Sequence, residues 1–283
     1  MDEERAGLLG AAEIREIAAR LDVTPTKKLG QNFVVDANVC RKIVNVVELR
    51  DGDVALEIGP GLGSLTLAIL EKAKHLIAVE IDSRLASELP HTLTRHGVSA
   101  DSFTIINEDA MVVDSLPMQP DVLIANLPYN ISVPVLLRFI ELFPTLRSGV
   151  VMVQSEVADR LVAKPGSKNY GSPSVKATWW SEMSSAGGVA RSIFWPVPNV
   201  DSSLVRFIRH EPAGDETLRQ QTFTIIDAAF AQRRKMLRAA LSGLMGGSSG
   251  ASAIIESAGI DPTIRGEALV LADFIKIAQA HNS

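Results

Sequence analysis

A short turn, Asn126-Leu127-Pro128-Tyr129, follows an apolar run and combines an amide, a proline and an aromatic ring. The Asn126 side-chain oxygen and the carbonyl beside Pro128 are two hydrogen-bond acceptors on a rigid turn. Acceptors aimed at both hydrogens of an exocyclic amine, such as that of adenine, favour the tetrahedral nitrogen that attacks a methyl sulfonium. Tyr129 offers a flat face for an extruded base. The turn is therefore predicted to activate an adenine amine, although similar turns are common without this chemistry.

A glycine-rich turn, Glu57-Ile58-Gly59-Pro60-Gly61-Leu62-Gly63, follows an earlier apolar run. Glycines let the backbone turn sharply and approach a ligand without an intervening side chain. The dinucleotide-binding pattern would need Gly or Ala where this chain has Ser64. The shorter spacing suits a nucleoside without a pyrophosphate, so Glu57, Gly59 and Gly61 are candidate cofactor-binding residues. The alternative is a turn that only lets a strand and a helix pack.

Two acidic residues follow the next two apolar runs. Glu80 stands one strand after the glycine turn, where a carboxylate can accept hydrogen bonds from both ribose hydroxyls. Asp109 could accept a hydrogen bond from the amino group of a cofactor adenine, or it could cap a helix. With the glycine turn, these acids predict a nucleoside-containing cofactor.

The elements that position these residues are predicted from the apolar pattern. Helical patterns cover residues 8–21, the segment after an Asp36 cap, Ser64–Lys72, Ser83–Arg95 and a segment that Ser132 caps with Pro134 in its first turn. Short apolar runs predict strands at Val54–Ile58, Leu76–Val79, Phe103–Ile106, Val122–Ala125 and Val150–Val153. Uniformly apolar strands between helices predict an α/β fold with a doubly wound, mostly parallel, Rossmann-like sheet.

The sequence pattern changes near Arg209, which predicts two domains, 1–209 and 210–283. The first carries the sheet and the N-terminal helices, and the second is predicted to be a small helical domain. A long amphipathic pattern in the second domain contains a basic run, Arg233-Arg234-Lys235, with Arg238 one helical turn further on.

The 283-residue chain is 46% hydrophobic and 22% charged, which is typical of a soluble globular protein. No run approaches the roughly 18 apolar residues that span a bilayer, and the acidic N-terminus does not resemble a secretory signal. With one cysteine, Cys40, and five scattered histidines, a cytoplasmic protein without a metal site is predicted. The net charge of −5 argues against nucleic-acid binding by the chain as a whole, so such binding depends on clustered cations. Basic residues cluster at Lys27-Lys28, at Lys164 with Lys168, and at Arg233-Arg234-Lys235 with Arg238.

The chain resembles the ribosomal RNA adenine dimethyltransferases, which modify two adjacent adenosines near the 3′ end of small-subunit rRNA. The similarity runs from about Pro25 to the C-terminal helices. Six motifs carry it, in the order that is typical of the family: Lys28-Leu29-Gly30-Gln31-Asn32-Phe33, Glu57-Ile58-Gly59-Pro60-Gly61-Leu62-Gly63, Asn107-Glu108-Asp109-Ala110, Asn126-Leu127-Pro128-Tyr129-Asn130-Ile131-Ser132, Phe194-Trp195-Pro196-Val197-Pro198-Asn199-Val200-Asp201-Ser202-Ser203, and Phe230-Ala231-Gln232-Arg233-Arg234-Lys235.

The resemblance implies a monomeric enzyme that uses S-adenosylmethionine (SAM) and acts on the small ribosomal subunit and its 16S rRNA. It implies that the target adenine is handled by the Asn126–Tyr129 turn, with Phe194 helping to stack it. Trp195 stands at a position that varies in the family. The four cations of the second domain are expected to contact RNA phosphate; the alternative is that they form only a charged helix surface. These cations are Arg233, Arg234, Lys235 and Arg238. The implied SAM contacts are Asn32, Val34, Gly59, Glu80, Asp109 and Asn126.

Two other functions fit parts of the sequence. Large-subunit rRNA adenine methyltransferases of the macrolide-resistance type share the sheet and the Asn-x-Pro-aromatic turn. The context of Leu127 and Asn130 and the Phe230–Lys235 run favour a small-subunit enzyme. A mainly non-catalytic ribosome-assembly or nucleic-acid-binding factor is the second alternative, and the complete set of acids and the Asn126 turn argue against it. A nicotinamide dehydrogenase does not fit the glycine spacing.

Overall fold

The computed structural model describes residues 7–23, 32–128 and 131–282. No helix in these ranges is long and apolar enough to cross a bilayer. The strands are β1 (Phe33–Val34), β2 (Val54–Ile58), β3 (His75–Glu80), β4 (Phe103–Asn107), β5 (Val122–Asn126), β6 (Ser148–Gln154), β7 (Ser181–Val189), β8 (Phe194–Trp195) and β9 (Ser202–Arg209). The helices are α1 (Ala11–Arg20), α2 (Ala37–Val44), α3 (Ser64–Leu70), α4 (Ser83–Arg95), α5 (Ser132–Leu142), α6 (Ser155–Leu161), α7 (Ser172–Ala177), α8 (Glu216–Ala231), α9 (Leu237–Ala240), α10 (Gly247–Ser257) and α11 (Leu271–His281).

Seven strands form one sheet in the order β4-β3-β2-β5-β6-β9-β7. The strands from β4 to β6 in this order run parallel to their neighbours, and β9 is antiparallel to β6. Almost every residue of β2, β3, β5 and β6 is buried, on both faces of the pleat. This burial explains the uniformly apolar runs and confirms the predicted doubly wound, mostly parallel sheet.

The strand order reverses between β2 and β5, which are neighbours in the sheet. The chain adds β3 and β4 on one side of β2, and β6 on the far side of β5. Loops at the carboxyl ends of two such strands lead away in opposite directions and leave a crevice between them. The glycine turn that begins at Gly59 and the turn that begins at Leu127 stand at this crevice.

The predicted strand at Val54–Ile58 and helix at Ser83–Arg95 coincide with β2 and α4, while β3 to β6 are slightly longer than predicted. The Asp36 cap is confirmed, because its carboxylate accepts from the amides of Asn38 and Val39. Ser132 does not cap α5. It is the first residue of that helix, and Ile131 occupies the cap position without a side-chain hydrogen bond.

Contacts between Cα atoms divide the chain into two compact units. The first contains residues up to Ala158 together with Ser184–Arg209, and the second contains Asp159–Met183 and the residues from His210 onward. The break after Arg209 coincides with the predicted boundary. Residues 159–183, which the sequence assigns to the catalytic domain, are part of the second unit.

The second unit has its own core, and this core explains why residues 159–183 join it. Tyr170 and Val175 are buried with Ile226 and Phe274, and the Tyr170 hydroxyl donates to the carbonyl of Leu269 at 2.7 Å. These contacts attach the loop before α7 to the helices of the C-terminal segment.

The long amphipathic pattern of the second unit is interrupted by a turn. Helix α8 ends at Ala231 and α9 begins at Leu237, so Arg233-Arg234-Lys235 do not lie on a helix, and that prediction is wrong. The Lys235 amide donates to the carbonyl of Gln232 at 2.8 Å, and the Leu237 amide donates to Ile264 at 2.7 Å. A continuous helix would direct the Leu237 amide to Arg233 instead.

Candidate active site

An open cleft lies at the carboxyl edge of the first unit's sheet, where the strand order reverses. It encloses about 890 Å³, counting its open mouth. The eight residues predicted to bind the cofactor all line it: Asn32, Val34, Glu57, Gly59, Gly61, Glu80, Asp109 and Asn126. The structure thus brings together residues from four motifs, while the role of each toward a ligand stays a prediction.

Glu80 is the last residue of β3 and is only 5% exposed. Its Oε2 accepts from the amide of Gly61 at 3.1 Å, and its Oε1 accepts from the amide of Asp82 at 2.9 Å. Burial raises the pKa of this carboxyl above its usual value, against the lowering effect of the two amides. A carboxylate oxygen can accept more than one hydrogen bond. Glu80 therefore fits a pair of vicinal hydroxyls.

Backbone conformation and close packing both favour glycine at position 61. Its φ of +60° lies in the left-handed region, which costs a side-chain-bearing residue about 1–2 kcal/mol. A Cβ at this position would lie 3.0 Å from Cε1 of Phe33. The close approach places the Phe33 ring against the glycine turn at the wall of the cleft.

Glu57 is the most deeply buried acid of the cleft, with 1% exposure. Its Oε2 accepts from the Thr66 hydroxyl on α3 at 2.7 Å. The pKa of Glu57 is raised to about 8, chiefly by burial and also by the charge of Glu80, against the lowering effect of the Thr66 hydrogen bond. Glu57 is therefore largely protonated at neutral pH. In this environment it fastens the glycine turn to α3 as well as lining the cleft.

Asp109 follows β4 at a point where a turn rather than a helix begins, and its role toward a cofactor adenine stays a prediction. Its Oδ1 accepts from the Met111 amide at 2.9 Å, which caps the turn after the strand. Neighbouring Asn107 donates from Nδ2 to the carbonyls of Glu80 at 2.8 Å and Ile81 at 3.3 Å. These bonds fix the end of β4 against the end of β3. The Asp109 Oδ2 atom has no partner within the described residues and stands at the cleft as an acceptor.

Asn126 ends β5 and lines the cleft. Its side-chain nitrogen, Nδ2, donates to the backbone carbonyl of Asn32 at 3.2 Å. Because the nitrogen is engaged, the amide oxygen is the atom that remains for a ligand amine. The Leu127 amide donates to Met152 at 3.1 Å, and the Ile131 amide donates to Pro128 at 3.3 Å, so hydrogen bonds hold both ends of the turn.

The other residues predicted for catalysis are distributed unevenly. Pro128 lines the cleft, whereas the Leu127 side chain is 1% exposed in the core. Phe194 is 2% exposed, belongs to the hydrophobic core and does not line the cleft. Its predicted stacking on a base therefore needs a conformation in which the ring is exposed. Tyr129 lies outside the described residues.

Several apolar residues of the cleft are absent from the sequence-based candidates, among them Phe33, Ile81, Leu85 and Ile131. Ile81 is 53% exposed although its neighbours are buried. The sequence signal that could have identified it is an apolar residue directly after the acid that ends β3. Ser64, which served only to exclude a dinucleotide pattern, also lines the cleft, and its buried Oγ has no partner within the described ranges.

The titratable side chains that line the described part of the cleft are all acidic: Glu57, which is largely protonated at neutral pH, and Glu80, Glu108 and Asp109. An acidic, partly apolar cleft complements a cationic ligand that carries an aromatic base and a sugar. The sulfonium, ribose and adenine of SAM match this set, so the residues present fit that cofactor. Within the described residues, no three His, Cys, Asp or Glu side chains are grouped to hold a metal ion.

The cations predicted to contact RNA lie in the second unit and differ in their pairing. Arg233 donates from Nε to Glu267 at 2.7 Å and from Nη2 to the carbonyl of Ser167 at 3.0 Å. Arg234 and Lys235 are exposed. Arg238 is half-buried, and its charge helps to lower the pKa of Asp261 after that residue's hydrogen bonds with Thr263. Arg233 is therefore engaged in structure, whereas Arg234 and Lys235 are available to a partner.

The sequence matches the family model described as ribosomal RNA adenine dimethylase over residues 24–282. A ribosomal RNA small subunit methyltransferase A from Leifsonia xyli subsp. xyli is 56% identical over 274 residues, which are 96% of this chain and 98% of that protein. The protein of the same name from Streptomyces griseus subsp. griseus is 54% identical over 279 residues, or 98% of this chain and 96% of that protein.

Solved structures are similar as well. A dimethyladenosine transferase from Plasmodium falciparum superposes with a TM-score of 0.74 at 25% identity, covering 87% of this chain and 95% of that one. The 23S rRNA methyltransferase ErmE superposes with a TM-score of 0.66 at 23% identity, covering 89% and 100%, and this likeness shows the shared fold alone. With the family match over nearly its whole length and relatives above half identity, the chain belongs to the ribosomal RNA adenine dimethylase family.

Proposed function

We propose that the protein is a SAM-dependent methyltransferase that dimethylates the N6 amines of two adjacent adenosines near the 3′ end of small-subunit rRNA. The observation that carries this function is the orientation of Asn126. Its nitrogen is bound by the carbonyl of Asn32, so its oxygen is left to accept a hydrogen bond at the cleft. An acceptor there suits an amine substrate and would not suit a carbonyl or phosphoryl group.

The residues supply acceptors and shape, and no strong base is required of them. An adenine amine is a poor nucleophile because its lone pair is delocalised into the ring. Hydrogen bonds to the Asn126 oxygen and to the carbonyl before Pro128 favour the more positive, tetrahedral nitrogen of the transition state. The amine loses its proton readily only after methylation, so positioning in a dry pocket provides most of the remaining rate.

The cofactor residues hold and orient a nucleoside. Glu80 would bind the ribose hydroxyls, Asp109 the adenine amino group, and the glycine turn would allow close approach of the backbone. When bound, SAM supplies an activated methyl group on a cationic sulfonium. The acidic lining of the cleft favours that charge.

The substrate class follows from the relatives. Those that are more than 50% identical are named for the small ribosomal subunit, which supports that subunit over the large one. The set Glu57, Glu80, Asp109 and Asn126 is gathered at one cleft, which supports a catalytic role over assembly alone. Binding of an assembling subunit would be compatible with catalysis.

The decisive experiment is transfer of labelled methyl from SAM to immature small subunits, large subunits and free rRNA, followed by mapping of the modified base. We expect dimethylated adjacent adenosines near the small-subunit 3′ end. Label in large-subunit RNA would favour the macrolide-resistance type of enzyme. Tight RNA binding without label would favour the non-catalytic factor. Size-exclusion chromatography and cell fractionation would test the predictions of a monomer and of a cytoplasmic location.

A further inference from the structure

The carbonyl that orients Asn126 comes from a segment outside the large sheet. Asn32 directly precedes β1, and its backbone oxygen accepts from Asn126 Nδ2 at 3.2 Å. An amide side chain can rotate to present either its oxygen or its nitrogen to a ligand. The position of β1 therefore decides whether the acceptor face of Asn126 is presented.

Strand β1 is held in place by β8. Phe33 pairs with Trp195 and Val34 pairs with Phe194 in an antiparallel register, and the Val35 amide donates to Ile193 at 2.8 Å. A two-residue pairing has little stability by itself. Side-chain contacts across the pair must supply the rest.

One such contact is the stack of Phe33 on Trp195, whose ring centroids are 6.3 Å apart with 24° between the planes. Aromatic pairs of this kind contribute beyond the area that they bury. The Phe33 ring also packs close to Gly61. Trp195 is partly buried and does not line the cleft, so its effect on a ligand must pass through Phe33 and β1.

We propose that Trp195 is a positioning residue for methyl transfer. By stacking on Phe33 it fixes β1, and β1 holds the Asn32 carbonyl where it turns the Asn126 oxygen toward the amine. The proposal rests on the proposed function only in that Asn126 receives the substrate amine. The Asn32–Asn126 bond itself can be measured without substrate.

A kinetic test separates positioning from general stability. In single-turnover methyl transfer to immature small subunits, Trp195→Ala should lower the rate about tenfold, as expected of a misplaced catalytic group. The SAM Kd should change only a few-fold. Trp195→Phe, which can still stack, should stay near the wild-type rate, and Trp195→Leu, which keeps apolar bulk without an aromatic face, should resemble Trp195→Ala. Phe103→Ala, at a partly buried aromatic residue that begins β4, is the matched control and should not change the rate.

The mechanism is tested by combining variants. In an Asn126→Ala background, Trp195→Ala should cause no further loss, because the group through which it acts is missing. An equal loss in both backgrounds would overturn the proposal, as would a wild-type rate in both Trp195→Ala and Trp195→Leu.

A second readout does not depend on activity. In protein labelled with ¹⁵N-asparagine, the Asn126 side-chain amide can be identified by its absence from Asn126→Ala. Its hydrogen exchange should be protected in the wild type and at least tenfold faster in Trp195→Leu, while the spectrum remains folded. Unchanged exchange would refute the positioning role. A wild type that transfers no methyl but shows this protection would contradict the proposed function and leave the Trp195 contact established.

Discussion

Gly61 donates its backbone amide to Glu80 Oε2 at 3.1 Å, so the glycine turn after β2 holds the acid that ends β3. The second oxygen of the same carboxylate is held by Asp82, whose own side chain pairs with Arg84 at 2.8 Å. The predicted ribose site is thus fixed by backbone donors before any ligand binds. Such preorganisation lowers the entropy cost of binding.

Replacing Glu80 tests the ribose assignment. Glu80→Gln preserves the shape but brings amide hydrogens into a site built from backbone donors, so the SAM Kd should rise roughly 10–100-fold, as is typical for loss of charged hydrogen bonds. Calorimetric titration measures this. Glu182→Gln, at an exposed position of β7, is the control. An unchanged SAM Kd in Glu80→Gln would contradict the assignment of Glu80 to the ribose hydroxyls.

Asn126→Ala should nearly abolish methyl transfer, by about 100-fold or more, because one preorganised hydrogen-bond group at the reacting centre is lost. SAM affinity should stay within a few-fold. Single-turnover assays with labelled SAM give the rate, and Asn45→Ala, at an exposed asparagine that ends α2, is the control. Normal turnover in Asn126→Ala would contradict the proposed mechanism.

The stability of the protein should depend on pH through Glu57. Burial raises its pKa to about 8 from an ordinary value of 4.5, so the native state binds the proton more tightly than the unfolded state. The stabilisation is complete below pH 4.5 and is lost as the pH rises through about 8. Glu57→Gln imitates the protonated form at every pH. The free energy of unfolding of the variant, minus that of the wild type, should therefore increase as the pH rises from 5 to 9. Urea unfolding across that range measures the difference, and a pH-independent difference would contradict the assignment.

The basic turn of the second unit should divide into RNA-binding and structural cations. Arg234→Ala with Lys235→Ala should weaken rRNA binding and reduce the slope of log K against log salt by up to about two. Arg233→Ala should change that slope less, because its guanidinium is already paired with Glu267. Lys276→Ala, which removes an exposed cation from α11, controls for net charge. The RNA-binding role would be contradicted if the double variant left the slope unchanged and Arg233→Ala had the same effect as Lys276→Ala. The cluster would then be a solvent-exposed charged surface that does not bind RNA.

The sheet could be predicted because burial on both faces leaves a uniformly apolar signal, as at Val122–Ala125. Three acids of the cleft, Glu57, Glu80 and Asp109, could be predicted because each lies at or just beyond the carboxyl end of a strand. Strands β1 and β8 could not, since a two-residue strand has no periodicity and its partner lies far along the chain.

Other features depend on tertiary contacts that local patterns do not contain. The apolar positions Phe230 and Leu237 are both partly or fully buried in one core, so their spacing resembled a single helix. The turn between them is set by Ile264, which accepts from the Leu237 amide. The grouping of residues 159–183 with the second unit also depends on such a contact, because the Tyr170 hydroxyl donates to the carbonyl of Leu269.

Strand β1 pairs with a strand that lies about 160 residues later in the chain, so this pairing forms only after β8 has been synthesised. The glycine turn, Glu80, Asp109 and Asn126 all precede residue 130, whereas β8 is added only after most of the first unit has been made. Long-range pairings form late because closing a long loop costs entropy before any contact is gained. Under the proposed role of Trp195, the Asn126 oxygen is oriented only in a chain that has been synthesised beyond residue 195, although the glycine turn and the acids of the cleft are synthesised earlier.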